Sequence, residues 1–164
     1  MAFSNRLIRS LAKLEAFPKG LQRPMRNWVI GRTVPFTGTA GIDYEKMSRE
    51  EVILNLRNRK KVQNHISQVH AAATALLAET ATGMVVGMNL PDDKLPLLKS
   101  MQIRYTKRST GTQRAVARLT EAQIQHIHDT DKGDVSVSVS IQDETGTEVV
   151  ETEMVWAWIP KKRK

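Results

Sequence analysis

The 164-residue chain is long enough for one domain with a real core, and its 40% hydrophobic and 26% charged residues are ordinary for a globular protein. It contains no cysteine, which excludes disulfides and thiolate metal sites, and no apolar run reaches the roughly 18 residues of a membrane span. Its formal net charge of +8 favours an anionic partner: nucleic acid, anionic lipid or a phosphate-bearing ligand.

The positive charge is concentrated in three places. Basic clusters lie between residues 57 and 61, between residues 104 and 108 and in the tail at 161–164, whereas residues 143–153 are acidic. Nucleic-acid modules usually alternate aromatic and basic residues, and here only Tyr105 interrupts a basic cluster. We therefore expect no nucleic-acid partner and no integral membrane association. The absence of cysteine fits a reducing compartment, so we expect a cytoplasmic protein.

The N-terminal segment predicts an amphipathic helix. Apolar residues recur at helical spacing from Phe3 to Leu14, with basic residues between them. Such a helix lies on a membrane, serves as an organelle presequence or packs on its own domain, and we favour the packed arrangement. Residues 22–41 are rich in Pro, Gly and Thr, and we interpret them as an irregular connector with a short helical turn around Trp28.

The remaining chain predicts one buried helix among strands. Val69 to Gly83 has helical spacing and consists mostly of small and apolar residues, which is typical of a buried helix, and Gly83 is its predicted end. Apolar and polar residues alternate in the other segments. This alternation predicts strands at 42–47, 52–57, 84–90, 101–106, 115–119, 135–141 and 152–158.

One apolar helix wrapped by a long antiparallel sheet satisfies the need of such a sheet to cover one face. The predicted class is therefore α+β, a hotdog fold with an extra N-terminal helix. We expect residues 1–27 to form the amphipathic helix and connector, residues 28–160 the hotdog domain, and residues 161–164 a basic tail.

Polar side chains around the predicted helix are the candidates for chemistry. Glu79 lies in an apolar stretch, where burial disfavours the charged carboxylate and makes it a better base; alternatively, it faces solvent and only solubilises the helix. His70 lies at the helix start, near the amides of Ala71 and Ala72, which have no helical partner and are suited to stabilise an oxyanion. Alternatively, His70 is a capping or packing histidine. Asn64 precedes this region.

The spacing of these residues predicts a dimer. His70 and Glu79 are nine positions apart, which on a helix is roughly 14 Å of rise and about half a turn out of phase. They can meet only if two helices run antiparallel across a two-fold axis. We therefore expect a homodimer, or a tetramer built from dimers, with Glu79 of one subunit facing the Asn64–His70 end of another.

The run from Asn64 to Ala73, followed by Leu76 to Thr80, resembles the hotdog thioesterase superfamily. The pattern there is Asn, a loop with Gly, His-Gly-Gly opening the central helix, and then an acidic residue on that helix. The similarity extends to residues 31–36, 62–65 and 103–111 of an uncharacterised bacterial branch related to phenylacetate-pathway-type acyl-CoA thioesterases. The sequence departs from the pattern at His70-Ala71-Ala72 and at Ser67, where the family usually has glycine.

The resemblance implies hydrolysis of an acyl-CoA-like thioester without a cofactor. Glu79 would be the general base or nucleophile, Asn64 would position the water or the carboxylate, and His70 would shape the helix start. The amides of Ala71 and Ala72 would form the oxyanion hole. The alternative function is non-catalytic binding of acyl groups or acyl-CoA.

Two further groups of residues are candidate ligand sites. By charge alone, Arg104, Lys107 and Arg108 are candidates for binding the coenzyme A phosphates. A short polar run suggests a metal site only weakly, because such runs usually form a turn at a strand end, so we expect no metal. The run comprises His126, His128, Asp129 and Asp131.

Overall fold

The computed structural model describes residues 3–162 as five helices and one six-stranded antiparallel sheet. The helices are α1 (Arg6–Ala12), α2 (Lys19–Thr33), α3 (Pro35–Ala40), α4 (Ala71–Gly87) and α5 (Glu121–Asp129). The strands are β1 (Asp43–Met47), β2 (Glu51–Leu56), β3 (Lys94–Tyr105), β4 (Gln113–Arg118), β5 (Gly133–Gln142) and β6 (Val150–Pro160). Their order in the sheet is β1-β2-β4-β5-β6-β3. None of the helices within residues 3–162 is long and apolar enough to cross a bilayer.

The sheet wraps around α4, which packs against β2, β3, β4, β5 and β6. The side chains of Leu77, Ala78, Ala81 and Val85 have no exposed surface. Alanine at two of these positions lets the strands approach the helix closely, and a helix that is apolar on most sides is stable only when it is enclosed in this way. The hotdog arrangement predicted from the sequence is confirmed.

The central helix does not end at Gly83, and the strand predicted at 84–90 is wrong. The α-helix continues to Gly87, and residues 88–90 form a turn. Glycine at position 83 leaves room for the ring of Trp156, since a Cβ at this position would lie 2.7 Å from that ring. The apolar run after it fits a strand or a buried helix equally well by pattern, and enclosure by the sheet favours the helix.

The connector predicted at 22–41 is also wrong, because α2 and α3 occupy most of it. Pro24 lies inside α2 and removes only one backbone hydrogen bond. Pro35 opens α3, where a missing N–H costs nothing. Gly31 and Gly38 bring the two helices into backbone contact, since a Cβ on Gly38 would lie 2.7 Å from the carbonyl oxygen of Gly31.

The N-terminal helix packs on its own domain, as expected. The side-chain amide of Asn5 donates to the carbonyls of Gly87 and Leu90, both at 2.8 Å, and so fixes α1 across the end of α4. The domain boundary expected between residues 27 and 28 falls inside α2. Of the basic tail, Lys161 donates to the carbonyls of residues 92 and 93, whereas residues 163–164 lie outside the described residues.

The four strands predicted after residue 100 are present in the predicted chain order but differ in extent. β3 begins at Lys94, well before the predicted 101, because Pro96 and a register shift between Leu98 and Ser100 hide its alternation. The helix α5 was not predicted. Its signal is a capping box, in which the Thr120 side chain and the Gln123 side chain satisfy each other's backbone amides.

Candidate active site

His70 caps the start of the central helix. Its backbone is extended, and its Nδ1 accepts a hydrogen bond of 3.0 Å from the N–H of Ala72. The amide of Ala72, predicted as half of an oxyanion hole, is therefore already occupied, which leaves Ala71 as the donor of the predicted pair. His70 has the capping position that the sequence left open as the alternative to a role in chemistry.

Asn64 organises the loop that leads into this cap. Its Oδ1 accepts from the N–H groups of Ile66 at 3.0 Å and Gln68 at 3.1 Å. Between them, Ser67 has a φ of 59°, a left-handed conformation in which glycine is favoured. The loop therefore keeps a glycine-type conformation although the glycine is replaced. Because Oδ1 is engaged in the loop, only the Nδ2 group of Asn64 is suited to contact a substrate.

A cleft of about 250 Å³ opens beside the start of α4. Asn64, Ala71, Lys107 and Arg108 all line it, so four of the predicted site residues come together here. Neither cation forms an ion pair within residues 3–162. Arg104 does not join them, because it pairs with Glu151 on the neighbouring strand β6. Arg104 is therefore not among the residues that line the cleft, and its contribution to phosphate binding stays a prediction.

The cleft also contains polar residues that the sequence analysis did not select. The Tyr105 hydroxyl donates to the carbonyl of Ala71 at 2.6 Å. The hydroxyl of Thr74 donates to Oε1 of the buried Gln113 at 2.9 Å. Gln113 is in phase with Ala115 and Ala117 along β4, and this polar residue at a core position was the available signal.

Gln68 is a further polar residue of the cleft that was not predicted from the sequence. Its Oε1 is buried, and within residues 3–162 it has no hydrogen-bond partner. A buried acceptor without a donor is costly unless a ligand or water supplies one. The cleft therefore offers a donor at Ala71, an acceptor at Gln68 and two cations at its entrance.

Glu79 lies outside this cleft, two turns further along α4. Its side chain is half-buried, and burial raises the pKa of its carboxyl group, while the neighbouring Thr80 hydroxyl lowers it by less. Its charge also contributes to the raised pKa of the buried Tyr44, which burial brings to about 12. The carboxyl group thus has the desolvated surroundings predicted from its neighbours in the sequence, but the chain does not bring it to Ala71.

The polar run near residue 128 lies mostly in a helix and not at a strand end, which corrects the expectation from the sequence. His126 and His128 belong to α5, and each is in contact with an aromatic ring. His128 stacks on Phe3 at 4.4 Å, and His126 meets Trp158 edge-on at 5.4 Å between ring centroids. Within the described part of the chain, no group of three or more metal-ligating side chains is present.

Comparison with solved structures supports the fold. A protein of unknown function and probable thioesterase from Pseudomonas aeruginosa superposes with a TM-score of 0.74 at 22% identity, over 88% of this chain and 97% of that one. A thioesterase from Haemophilus influenzae gives 0.62 at 12% identity over 78% and 85% of the two chains. A mutant of a thioesterase enzyme from Staphylococcus aureus subsp. aureus gives 0.65 at 18% over 77% and 99%.

At these identities the superpositions show the fold alone. No curated protein matches the sequence. Residues 23–159 match the family described as a domain of unknown function, DUF4442, which takes in the sheet, α4 and most of α2. The chain therefore belongs to the DUF4442 family and has the hotdog fold of thioesterase-like proteins.

Proposed function

We propose that this protein is a thioesterase that hydrolyses an acyl-CoA-like thioester in a site shared by two subunits. The observation that carries the proposal is the cleft at the start of α4, where a helix N-terminal amide, a buried acceptor without a partner among residues 3–162 and two cations meet. A helix N-terminus suits a developing negative charge, and the two cations suit phosphates. Glu79 supplies the carboxylate, and the names of the structural neighbours support the reaction type.

The reaction needs one base and one site for an oxyanion. In the proposed mechanism Glu79 removes a proton from water, the hydroxide attacks the thioester carbonyl, and the Ala71 N–H binds the resulting oxyanion. Collapse breaks the C–S bond, and the proton held by Glu79 leaves with the thiol. Alternatively, Glu79 attacks the carbonyl directly, and water then hydrolyses the anhydride. A raised pKa suits either role, because a more basic carboxylate is a stronger base and nucleophile.

The site requires a second copy of the chain. Ala71 and Glu79 are eight positions apart on one helix, which is about 12 Å along its axis. Antiparallel packing of two copies of α4 across a two-fold axis would bring Glu79 of one subunit to Ala71 of the other.

The edge of the sheet supports such a pairing. β3 is an edge strand of 12 residues, and most of its apolar side chains are exposed. Leu95, Leu97 and Met101 are 42%, 43% and 44% exposed, respectively. An exposed, apolar edge of this length is a template for pairing with another strand. We propose that β3 of two copies pair to form the dimer.

The substrate is proposed to carry coenzyme A, with Lys107 and Arg108 binding its phosphates at the mouth of the cleft. The two side chains are exposed, as phosphate-binding groups at an entrance need to be. Within thioesterase-like hotdog proteins, the phenylacetate-pathway branch remains the proposed relation, on the residue pattern around Asn64 and His70.

The test is an activity panel with short, long and aromatic acyl-CoA thioesters. We expect cleavage of at least one class, and a loss of about 100-fold or more in kcat for Glu79→Gln, the range expected for removal of a general base. Glu153→Gln, which removes an exposed carboxylate from β6, is the matched control and should leave kcat unchanged. No cleavage of any class by the wild-type protein, or an active Glu79→Gln variant, would overturn the proposal.

A second candidate function is acyl-CoA binding without efficient turnover. It is favoured by one observation: the N–H of Ala72 is bonded to His70, so the oxyanion site has a single amide donor from the predicted pair. A binder would hold acyl-CoA with the same affinity before and after Glu79→Gln and would release no thiol. Measuring Kd and thiol release for that variant and the wild type separates the two functions.

A further inference from the structure

A cavity of about 390 Å³ lies between the N-terminal helices and the second half of α4. Its walls come from α1, α2, the end of α4 and the start of β3. The apolar part of the lining includes Leu7, Leu11, Leu14, Val29, Ile30 and Met84. At this volume the cavity is at the low end for ligand sites, about 300–1,000 Å³, so it suits one part of a large ligand.

The polar groups at the rim are bonded to one another. Asp92 accepts from the backbone N–H of Arg6 at 2.6 Å and forms an ion pair with Arg9 at 2.5 Å, and Lys161 donates to its carbonyl at 2.6 Å. Lys94, in the wall, directs its Nζ to the carbonyls of residues 127 and 130. None of the buried side-chain atoms without a partner in residues 3–162 belongs to the lining. The lining is therefore mainly apolar, and its buried side-chain polar atoms already have partners.

The cavity adjoins the surroundings of Glu79. Thr80, whose hydroxyl lies beside the Glu79 carboxyl group, is followed at i+4 and i+7 by Met84 and Gly87, which line the cavity. Residues at these spacings lie on one side of a helix. A chain that leaves the carboxylate along the Thr80 side of α4 therefore reaches Met84, five residues further on, after about 7.5 Å of rise.

We propose that this cavity holds the hydrocarbon chain of the acyl substrate, in the subunit that supplies Glu79. The proposal rests on the proposed thioesterase function and adds the substrate class: aliphatic acyl chains of medium length. A methylene is close in size to water, whose share of liquid volume is about 30 Å³, so the cavity has room for about a dozen methylene-sized units. The thioester then lies at Glu79, and coenzyme A extends to Lys107 and Arg108 of the other subunit.

The experiment measures binding of straight-chain acyl-CoA thioesters from C4 to C16 to the full-length Glu79→Gln protein by titration calorimetry. Because each buried methylene contributes a similar transfer free energy, Kd should fall up to about fourfold per added methylene and level off near twelve carbons. A Kd independent of chain length would overturn the proposal.

A variant of the wall locates the effect. Val29→Phe narrows the cavity and should move the plateau to shorter chains, while Val29→Ala should move it to longer ones. Leu21→Phe, on the same helix but exposed and outside the lining, is the control and should leave the profile unchanged. If Val29→Phe does not fold, Leu11→Phe on the opposing helix replaces it. A profile in Val29→Phe or Leu11→Phe identical to that of Leu21→Phe would overturn the assignment.

Failure of this proposal is distinguishable from failure of the proposed function. A chain-length profile that responds to Val29→Phe, in a wild-type protein that releases no thiol, would support the cavity and overturn only the hydrolysis. Hydrolysis that depends on Glu79, with a flat profile in both the wild type and Val29→Phe, would overturn only the cavity.

Discussion

The two halves of the central helix differ in the kind of surroundings that the chain builds around them. The first half begins in a network of hydrogen bonds that links Asn64, His70, Tyr105 and Gln113 to the helix or its loop, with cations at the entrance. The second half is mostly apolar, and partial burial there raises the pKa of the Glu79 carboxyl group. Donors lie at the start of the helix and the carboxylate two turns further along, near its middle, which is why a single chain forms only half of the proposed site.

The largest effect is expected from mixing two inactive variants. Glu79→Gln removes the carboxylate of the proposed site, and Asn64→Ala removes the side-chain amide near the start of α4. In a mixed dimer one site carries both changes and the other carries neither, so random mixing should restore about a quarter of the wild-type activity. The measurement is thioesterase activity after co-refolding the two proteins.

The control for this experiment mixes each variant with itself, which should restore nothing. If the site were formed within one chain, every site in the mixture would carry one of the two changes, and activity would stay absent. That result would contradict the division of the site between the two ends of α4.

Gly83→Ala tests how tightly the second half is enclosed. The added Cβ would lie 2.7 Å from the Trp156 ring, whose Nε1 donates to Thr82 at 2.9 Å. Overpacking of this kind costs about 1–3 kcal/mol, so we expect a lower free energy of unfolding in a urea titration.

Gly20→Ala is the matched control, because nothing lies within 4 Å of a Cβ at that helical position. It should be neutral or stabilising by about 0.5–1 kcal/mol. Equal stability of the two alanine variants would show that the indole moves aside, and that the enclosure of α4 is looser than described.

Lys107→Ala and Arg108→Ala test the proposed phosphate site at the mouth of the cleft beside the start of α4. Each should raise KM for acyl-CoA several-fold at low salt, since a charge-assisted contact to phosphate is worth about 1.5–3 kcal/mol when fully formed and less at an exposed site. A thioester of a short thiol without phosphates should show no change.

Lys132→Ala, which removes an exposed cation before β5, is the control for charge alone. An equal rise in KM for all three variants would assign the effect to the overall positive charge and not to the cleft.

The smallest effect concerns the pH dependence of stability. Because the folded protein holds Glu79 with a raised pKa, it binds this proton more tightly than the unfolded chain does, so this group reduces stability as pH rises above the usual value of 4.5. Glu79→Gln cannot ionise, so its Tm should exceed that of the wild type near pH 7 and match it at about pH 3. A Tm below that of the wild type at pH 7 would show that the carboxylate is stabilised by a partner.

Some of the fold and site could be predicted from local pattern. Alternating residues in β5 and β6 predicted both strands, and the enclosed helix followed from its small apolar residues. Asn64 and Ala71 were selected from spacing and resemblance, and they do line one cleft. Gln68 and Tyr105 were missed, because a polar residue in a loop or at a strand end is ordinary in sequence and becomes significant only through what it contacts.

The sequence by itself determined the enclosed helix, the antiparallel strands around it, and the separation of His70 from Glu79, because periodicity and rise per residue are local properties. Tertiary structure decided the rest. Gly83 and Pro24 signal helix ends by propensity, but the approach of Trp156 and the packing of α2 on α3 outweigh that propensity. Likewise, only the fold separated Arg104 from Lys107 and Arg108, since a neighbouring strand supplied Glu151 as its partner.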